Sequence, residues 1–188
     1  YADVLPTLLE VTGGKVTGKG LDGRSFLPVL RGQEQSQRRY VYGVHNNLPE
    51  GPSYPVRTVS DGTFRYLRNL RPQEMYIEKH LMGWTGKGTL NNPYWATWIR
   101  ESTNNADTYK LVKRYMHRPA EQLYHTAVDP YEMSNLAGSA AHEDTRKRLA
   151  AELDRWMKQQ GDPGAAQDTK EALAAARNGK HLYVPPEE

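Results

Sequence analysis

The sequence predicts an α+β fold, a small antiparallel sheet with a long C-terminal helix packed on it. Three observations carry this expectation. Asp61-Gly62 separates two runs rich in β-branched and aromatic residues, at 55–60 and 63–69; a pair tolerant of positive φ between such runs reads as a two-residue hairpin turn. Further strand-like runs lie at 40–44 and 121–126. Leu149, Leu153, Trp156 and Met157 recur at helical spacing within 142–160, with Gly161 as a stop, so one apolar stripe should press onto the sheet.

Taken from the N-terminus, Asp3 is placed to cap a short helix with Pro6 in its first turn and Leu5, Leu8 and Leu9 on one face, stopped by Gly13-Gly14. Residues 21–30 read as a turn and a short helix. Between 71 and 118 the pattern is broken by Gly83, Gly86, Gly88, Asn91, Asn92 and Pro93 and crowded by aromatics, which suggests an insertion over the surface with a helix at 107–116. Residues 1–164 form the expected subdomain, and 165–188 a tail with a weak helix at 171–177 and a stop at Pro185-Pro186.

Composition narrows the function classes. Hydrophobic residues make up 37% of 188, which allows a thin core, while 12 Tyr and 4 Trp suit a piece that leans on a partner through amphipathic aromatics. The net charge of +3 comes from 25 basic and 22 acidic residues spread along the chain, a solvated surface and not a nucleic-acid footprint. With no cysteine there is no disulfide, zinc thiolate or cysteine nucleophile, and the compartment is not legible from redox chemistry. No run of ~18 apolar residues and no signal peptide is present, so no membrane partner is expected.

Two motifs tempt and are set aside. Gly13-Gly14-Lys15-Val16-Thr17-Gly18-Lys19 follows the start of a phosphate-binding loop, but Gly20 stands where a magnesium-holding Ser or Thr belongs, so the stretch reads as a helix stop and loop. Ser53-Tyr54-Pro55-Val56-Arg57 fits the C/S-x-P-x-R signature of a modified nucleophile, yet it continues as a strand into the hairpin where that signature opens a helix. The six histidines show no pair at helical ligand spacing, so no metal site is expected and no catalytic residue is assigned.

The run from Gln122 through Ala137, an L-Y-x-x-x-x-D-P-x-E-x-x-N-L-A pattern, resembles the C-terminal region of type I sulfatases. Ala2-Asp3-Val4-Leu5-Pro6-Thr7-Leu8-Leu9 and residues 21–30 look like the segment after the family's last metal ligands. Ser53-Tyr54-Pro55-Val56-Arg57-Thr58-Val59, with Phe64-Arg65-Tyr66-Leu67-Arg68-Asn69-Leu70, is similar to the heparan N-sulfatase (sulfamidase) branch; Leu153-Asp154-Arg155-Trp156 before Asp162-Pro163 extends the likeness to about residue 164. The resemblance implies an alkaline-phosphatase-like parent in which a formylglycine hydrate attacks sulfur while calcium holds the sulfate oxygens. Neither the formylglycine cysteine nor the calcium-binding Asp-Asp and Asp-Asn pairs match positions of this chain, which is expected to be inactive alone. It would then be a smaller subdomain beside the cleft, partnered by the N-terminal catalytic domain and a sulfated saccharide, in the periplasm or secreted if the parent is bacterial. His45, Asn46, Asn47 and Arg57 are the residues expected at the sugar, Arg57 because its fork matches sulfate or carboxylate. Two alternatives stay open: a related phosphodiesterase or phosphonate hydrolase, and a free-standing carbohydrate-binding module using Trp84, Tyr94, Trp95 and Trp98.

Overall fold

The structure, a computed structural model, describes residues 2–15 and 20–178. Residues 16–19 of the glycine- and lysine-rich loop and the expected Pro185-Pro186 stop lie outside the described residues. The chain divides into two compact units, Tyr1–Val41 and Tyr42–Glu188.

In the first unit α1 (Val4–Val11) precedes the single-turn α2 (Leu27–Leu30). Asp3 stands at the N-cap position, but its carboxylate makes no capping bond; it accepts from the Arg24 backbone at 2.7 Å and pairs with Arg38. Thr7 ties the two helices, donating its hydroxyl to the Asp3 carbonyl at 2.7 Å and accepting from Phe26 N at 3.0 Å. The expected apolar face is not covered within this unit: Pro6 and Thr7 are the buried residues of α1, while Val4, Leu5, Leu8 and Val11 are exposed.

The second unit is built on a four-stranded sheet in the order β1 (Val41–His45), β2 (Val56–Ser60), β3 (Phe64–Asn69), β4 (Glu121–His125), each within a residue or two of expectation. β2 and β3 are antiparallel with Ser60 opposite Arg65, and Asp61 N donates to Phe64 O at 3.1 Å. The two-residue loop is therefore Gly62-Thr63, one residue later than predicted, with Gly62 at φ 90 in the first central position and the Asp61 carboxylate accepting from Thr63 N and Phe64 N.

Alternation puts Arg57 and Val59, Tyr66 and Arg68, and Glu121 and Leu123 on one face of the sheet. The long helix α6 (Glu143–Gln159) covers that face: Arg68 reaches Asp154 and the Ala150 carbonyl, and Leu149 and Leu153 are fully buried, as are Val59, Tyr66 and Leu123. Trp156 leaves the core stripe and stacks on Tyr42, ring centroids 4.7 Å apart and 4° from parallel. The fold class is thus the expected one.

Residues 71–118 form a second layer. They contain α3 (Lys79–Met82), α4 (Pro93–Ser102) and α5 (Ala106–Met116). Tyr76 packs with Tyr54 and Val56 against Leu67 and Tyr115, and Met82, Trp95 and Val112 continue the cluster outward. Asn92-Pro93, taken as a breaker, is a helix start: Asn92 Oδ1 accepts from Tyr94 N at 2.9 Å and Pro93 fills the position that needs no N–H.

The D-P-x-E-x-x-N-L-A run proves structural. Asp129 accepts from Met133 N and Ser134 N at 2.9 and 2.8 Å, which holds its carboxyl below the usual range, and Glu132 takes a positive φ of 54. This bend returns Asn135 to β4, where its Oδ1 accepts from Leu123 N at 2.9 Å, its amide donates to Glu121 O at 3.2 Å, and Leu136 N donates to Leu123 O at 2.8 Å. An edge strand otherwise open to another chain is thereby closed.

Candidate functional site

Arg57 sits at the centre of the predicted site and is fully buried. Its alternation onto the α6 face turns the guanidinium toward the segment after α6, where Asp162 takes Nε and Nη2 in a bidentate pair. Nη1 donates to Asn46 Oδ1 at 3.0 Å and to the carbonyls of His45 and Val56 at 3.2 and 3.0 Å; Nη2 also meets Gly164 O and Gln167 Oε1 at 3.3 and 3.2 Å. All donor nitrogens are thus engaged by the protein itself. Arg57 fastens the end of β1 to the chain beyond α6 and presents no free fork at the surface.

Asp168 makes the second fastening. It is 1% exposed and accepts from three backbone N–H groups, Asn47 at 3.0 Å, Leu48 at 2.9 Å and Tyr54 at 2.6 Å. Residues 165–178, expected as a tail, therefore close the 47–54 loop, with Thr169 capping α7 (Lys170–Arg177) by accepting from Ala172 N at 3.1 Å. Asn47, 2% exposed, spends its side-chain amide inside the loop on Pro52 O and Ile77 O at 2.7 and 2.9 Å. Gly51 has to be glycine here, because a Cβ would meet Ile77 O at 2.4 Å and Asn47 Nδ2 at 2.5 Å.

Of the four predicted residues, the two at the surface are His45 and Asn46. Asn46 is exposed and gives its oxygen to Arg57, while its amide N–H groups make no hydrogen bond among the described residues. The His45 ring lies edge-on to Tyr76 at 6.0 Å. Desolvation there, reinforced by the Arg118 and Arg57 charges against the opposing pull of Asp168, holds its pKa below the ordinary 6.5, so the ring is neutral at neutral pH. Three groups that sequence reasoning missed complete the surroundings: Asp162, Asp168 and Arg118, whose guanidinium carbon stands 4.0 Å over the Tyr76 ring. Asp162-Pro163 carried a faint signal through the family likeness, whereas Asp168 and Arg118 carried none, because their partners lie far away in sequence.

The arrangement offers hydrogen-bond donors and acceptors on a rim held by Arg57 and Asp168. Pro55-Val56-Arg57 leads into β2, so Ser53 precedes a strand, and its hydroxyl is buried. Among the described residues no group of three or more His, Asp or Glu side chains converges as a metal ion requires. Trp95 is 3% exposed and tilted 55° from Trp98, so the aromatics of the insertion do not make one flat platform.

No family model matches the chain. It is 34% identical over 164 residues to an ulvan-active sulfatase from Formosa agariphila, which is 86% of this chain and 29% of that protein. It is also 26% identical over 178 residues to the N-sulphoglucosamine sulphohydrolase of Homo sapiens, 86% of this chain and 32% of that one. Two solved structures share the fold. One is a 2-O GAG sulfatase, with a TM-score of 0.54 and 22% identity over 85% of this chain and 25% of the other. The second is a complex with its substrate D-glucosamine-2-N,6-O-disulfate, with a TM-score of 0.51 and 19% identity over 86% of this chain and 24% of the other. The chain thus spans about a third or less of the curated relatives it matches.

Proposed function

We propose that this chain, a relative of the sulfatases over most of its own length, is the C-terminal subdomain of a larger sulfatase acting on sulfate esters or sulfamates of sugars. In this reading it contributes substrate recognition and structural support, while the chemistry at sulfur belongs to the rest of that polypeptide. One observation carries the proposal: 34% identity to a named sulfatase runs through 86% of this chain yet accounts for 29% of that enzyme. Support comes from α1, whose Val4, Leu5, Leu8 and Val11 are apolar and exposed, a stripe suited to burial against an N-terminal catalytic domain. Calcium and formylglycine would be supplied there.

The sulfated substrate is a polysaccharide unit. Heparan-type glycans fit the sulfamidase likeness, and the Formosa relative, a sulfatase active on ulvan, widens the class beyond them. His45 and Asn46 meet sugar hydroxyls or a second anionic group. Asn47 and Arg57 act on the saccharide through the segment they hold, Asn47 by closing the loop and Arg57 by fixing Asn46. Contacts of this kind are made in ground and transition states alike, so they move KM more than kcat. In the complete polypeptide, Asn46→Ala and His45→Ala should each weaken a natural saccharide by ~0.5–1.5 kcal/mol, the scale of one neutral hydrogen bond, and leave a small aryl sulfate unaffected. Steady-state kinetics on both substrates decides, and an equal fall of kcat on both would place these residues in the catalytic centre.

A further inference from the structure

The second face of the sheet and the helices laid over it border a half-open cavity of about 770 Å³. Leu67 and Tyr124 line it from the strands, Trp98 from α4, Tyr115 from α5, and Tyr131 and Met133 from the loop after β4. A volume of this order and aromatic walls are what a ring-shaped small molecule needs. Two arginines face it, and they differ. Arg114 is occupied, its guanidinium donating to the Glu132 carbonyl and lying 2.9 Å from Met133 Sδ. Arg118 is half-buried, with its guanidinium carbon 4.0 Å from the Tyr76 ring and 5.4 Å from that of Tyr115, and its Nε bonds the Tyr115 carbonyl at 3.3 Å. Its two terminal nitrogens have no hydrogen-bond or carboxylate partner among the described residues. The buried cation Arg57 meets a carboxylate, and of the acids that line the cavity Glu132 is paired with Arg65 at 2.7 Å while Glu101 is exposed and unpaired with Arg118.

We propose that this cavity binds an anionic saccharide unit, with Arg118 taking the oxyanion and the tyrosine and tryptophan rings flanking the sugar. A guanidinium half-buried over the Tyr76 ring, with Tyr115 beside it and its Nε tied to the Tyr115 carbonyl, keeps its fork partly pre-set, so an oxyanion gains two charge-assisted hydrogen bonds at reduced ordering cost. Tyr76 is shared, meeting the His45 ring edge-on at 6.0 Å and Arg118 on its face, so the cavity and the rim around His45 are neighbouring stations for one chain of sugars. Arg118 thereby fills the role that sequence reasoning gave to Arg57. The saccharide class rests on the sulfatase reading; the two fail separately, because this inference is read as binding to the present chain and that one as kinetics of the complete polypeptide.

The test is a titration of the 188-residue chain with glucuronate, a glucose sulfate and unmodified glucose, followed by calorimetry and by the indole and phenol proton resonances. Both anionic sugars should bind and shift the Trp98 and Tyr115 signals, with glucose silent. Arg118→Gln should weaken the anionic sugars at least about tenfold, the lower end for a charge-assisted bond, and Arg118→Lys should lose less. Binding of one anionic sugar alone supports the proposal and identifies the oxyanion as carboxylate or sulfate. Glucose binding as tightly as its charged counterparts, unchanged affinity in Arg118→Gln, or no response to any probe overturns it. Should Arg118→Gln not fold, the preference of the unaltered chain for charged over neutral sugar decides.

Discussion

Arg57 shows how burial changes what a side chain can do. An arginine in a Y-P-x-R strand looks like an anion receptor, but its fork closes on Asp162, whose own side chain is 5% exposed, and the remaining donors hold Asn46, Gly164 and Gln167. Removing it would leave a buried carboxylate with only the Gly164 N–H and no counter-ion, and breaking such a pair costs far more than a surface bridge. Arg57→Ala should therefore lower the unfolding free energy by about 3–5 kcal/mol in urea, with Arg57→Lys in between, since an ammonium cannot meet both Asp162 oxygens. A loss under ~0.5 kcal/mol, the size of a surface change, would show that the pair is not made in solution. Neither pairing was legible in the sequence, although Asp162 itself lay in the family likeness: Asp162 is 105 residues from Arg57, and Asp168 is 114 from Tyr54, and pairs at that separation leave no local pattern.

Elements were read best where local chemistry and burial agree. The stripe of α6 was visible because Leu149 and Leu153 repeat at helical spacing, and both are fully buried over the sheet. Leu153→Ala should cost about 2–5 kcal/mol from lost burial plus the cavity left behind, measured by chemical unfolding, and a cost under ~0.5 kcal/mol would mean that another face packs. Turn chemistry located the hairpin but misplaced its tip by one residue, since Asp61 serves as the acceptor before the turn and leaves the positive φ to Gly62. Within 71–118 the helix expected at 107–116 is α5, whereas α4 was obscured because its cap, Asn92, is a residue that also marks loops; the apolar face that decides between the two, around Trp95, becomes evident only in the packed cluster. The family run after β4 shows the reverse case, a motif easily read and easily over-read. Asp129 and Asn135 shape a bend and close an edge, so they report ancestry through architecture and not through catalysis.

At the scale of the whole molecule, one layer of helices lies on each face of the sheet of the second unit, and the N-terminal unit leaves an apolar helix stripe exposed. The proposed recognition surfaces are a rim at His45 and Asn46 and an aromatic cavity at Arg118, and the proposed sulfur chemistry lies outside the chain. The most direct measurement compares the 188-residue chain with the complete polypeptide on a chromogenic aryl sulfate under the same conditions. Turnover by the complete polypeptide and none by this chain is the predicted result. Turnover by this chain alone, abolished by Ser53→Ala, would contradict the account and make Ser53-Tyr54-Pro55-Val56-Arg57 a nucleophile motif after all.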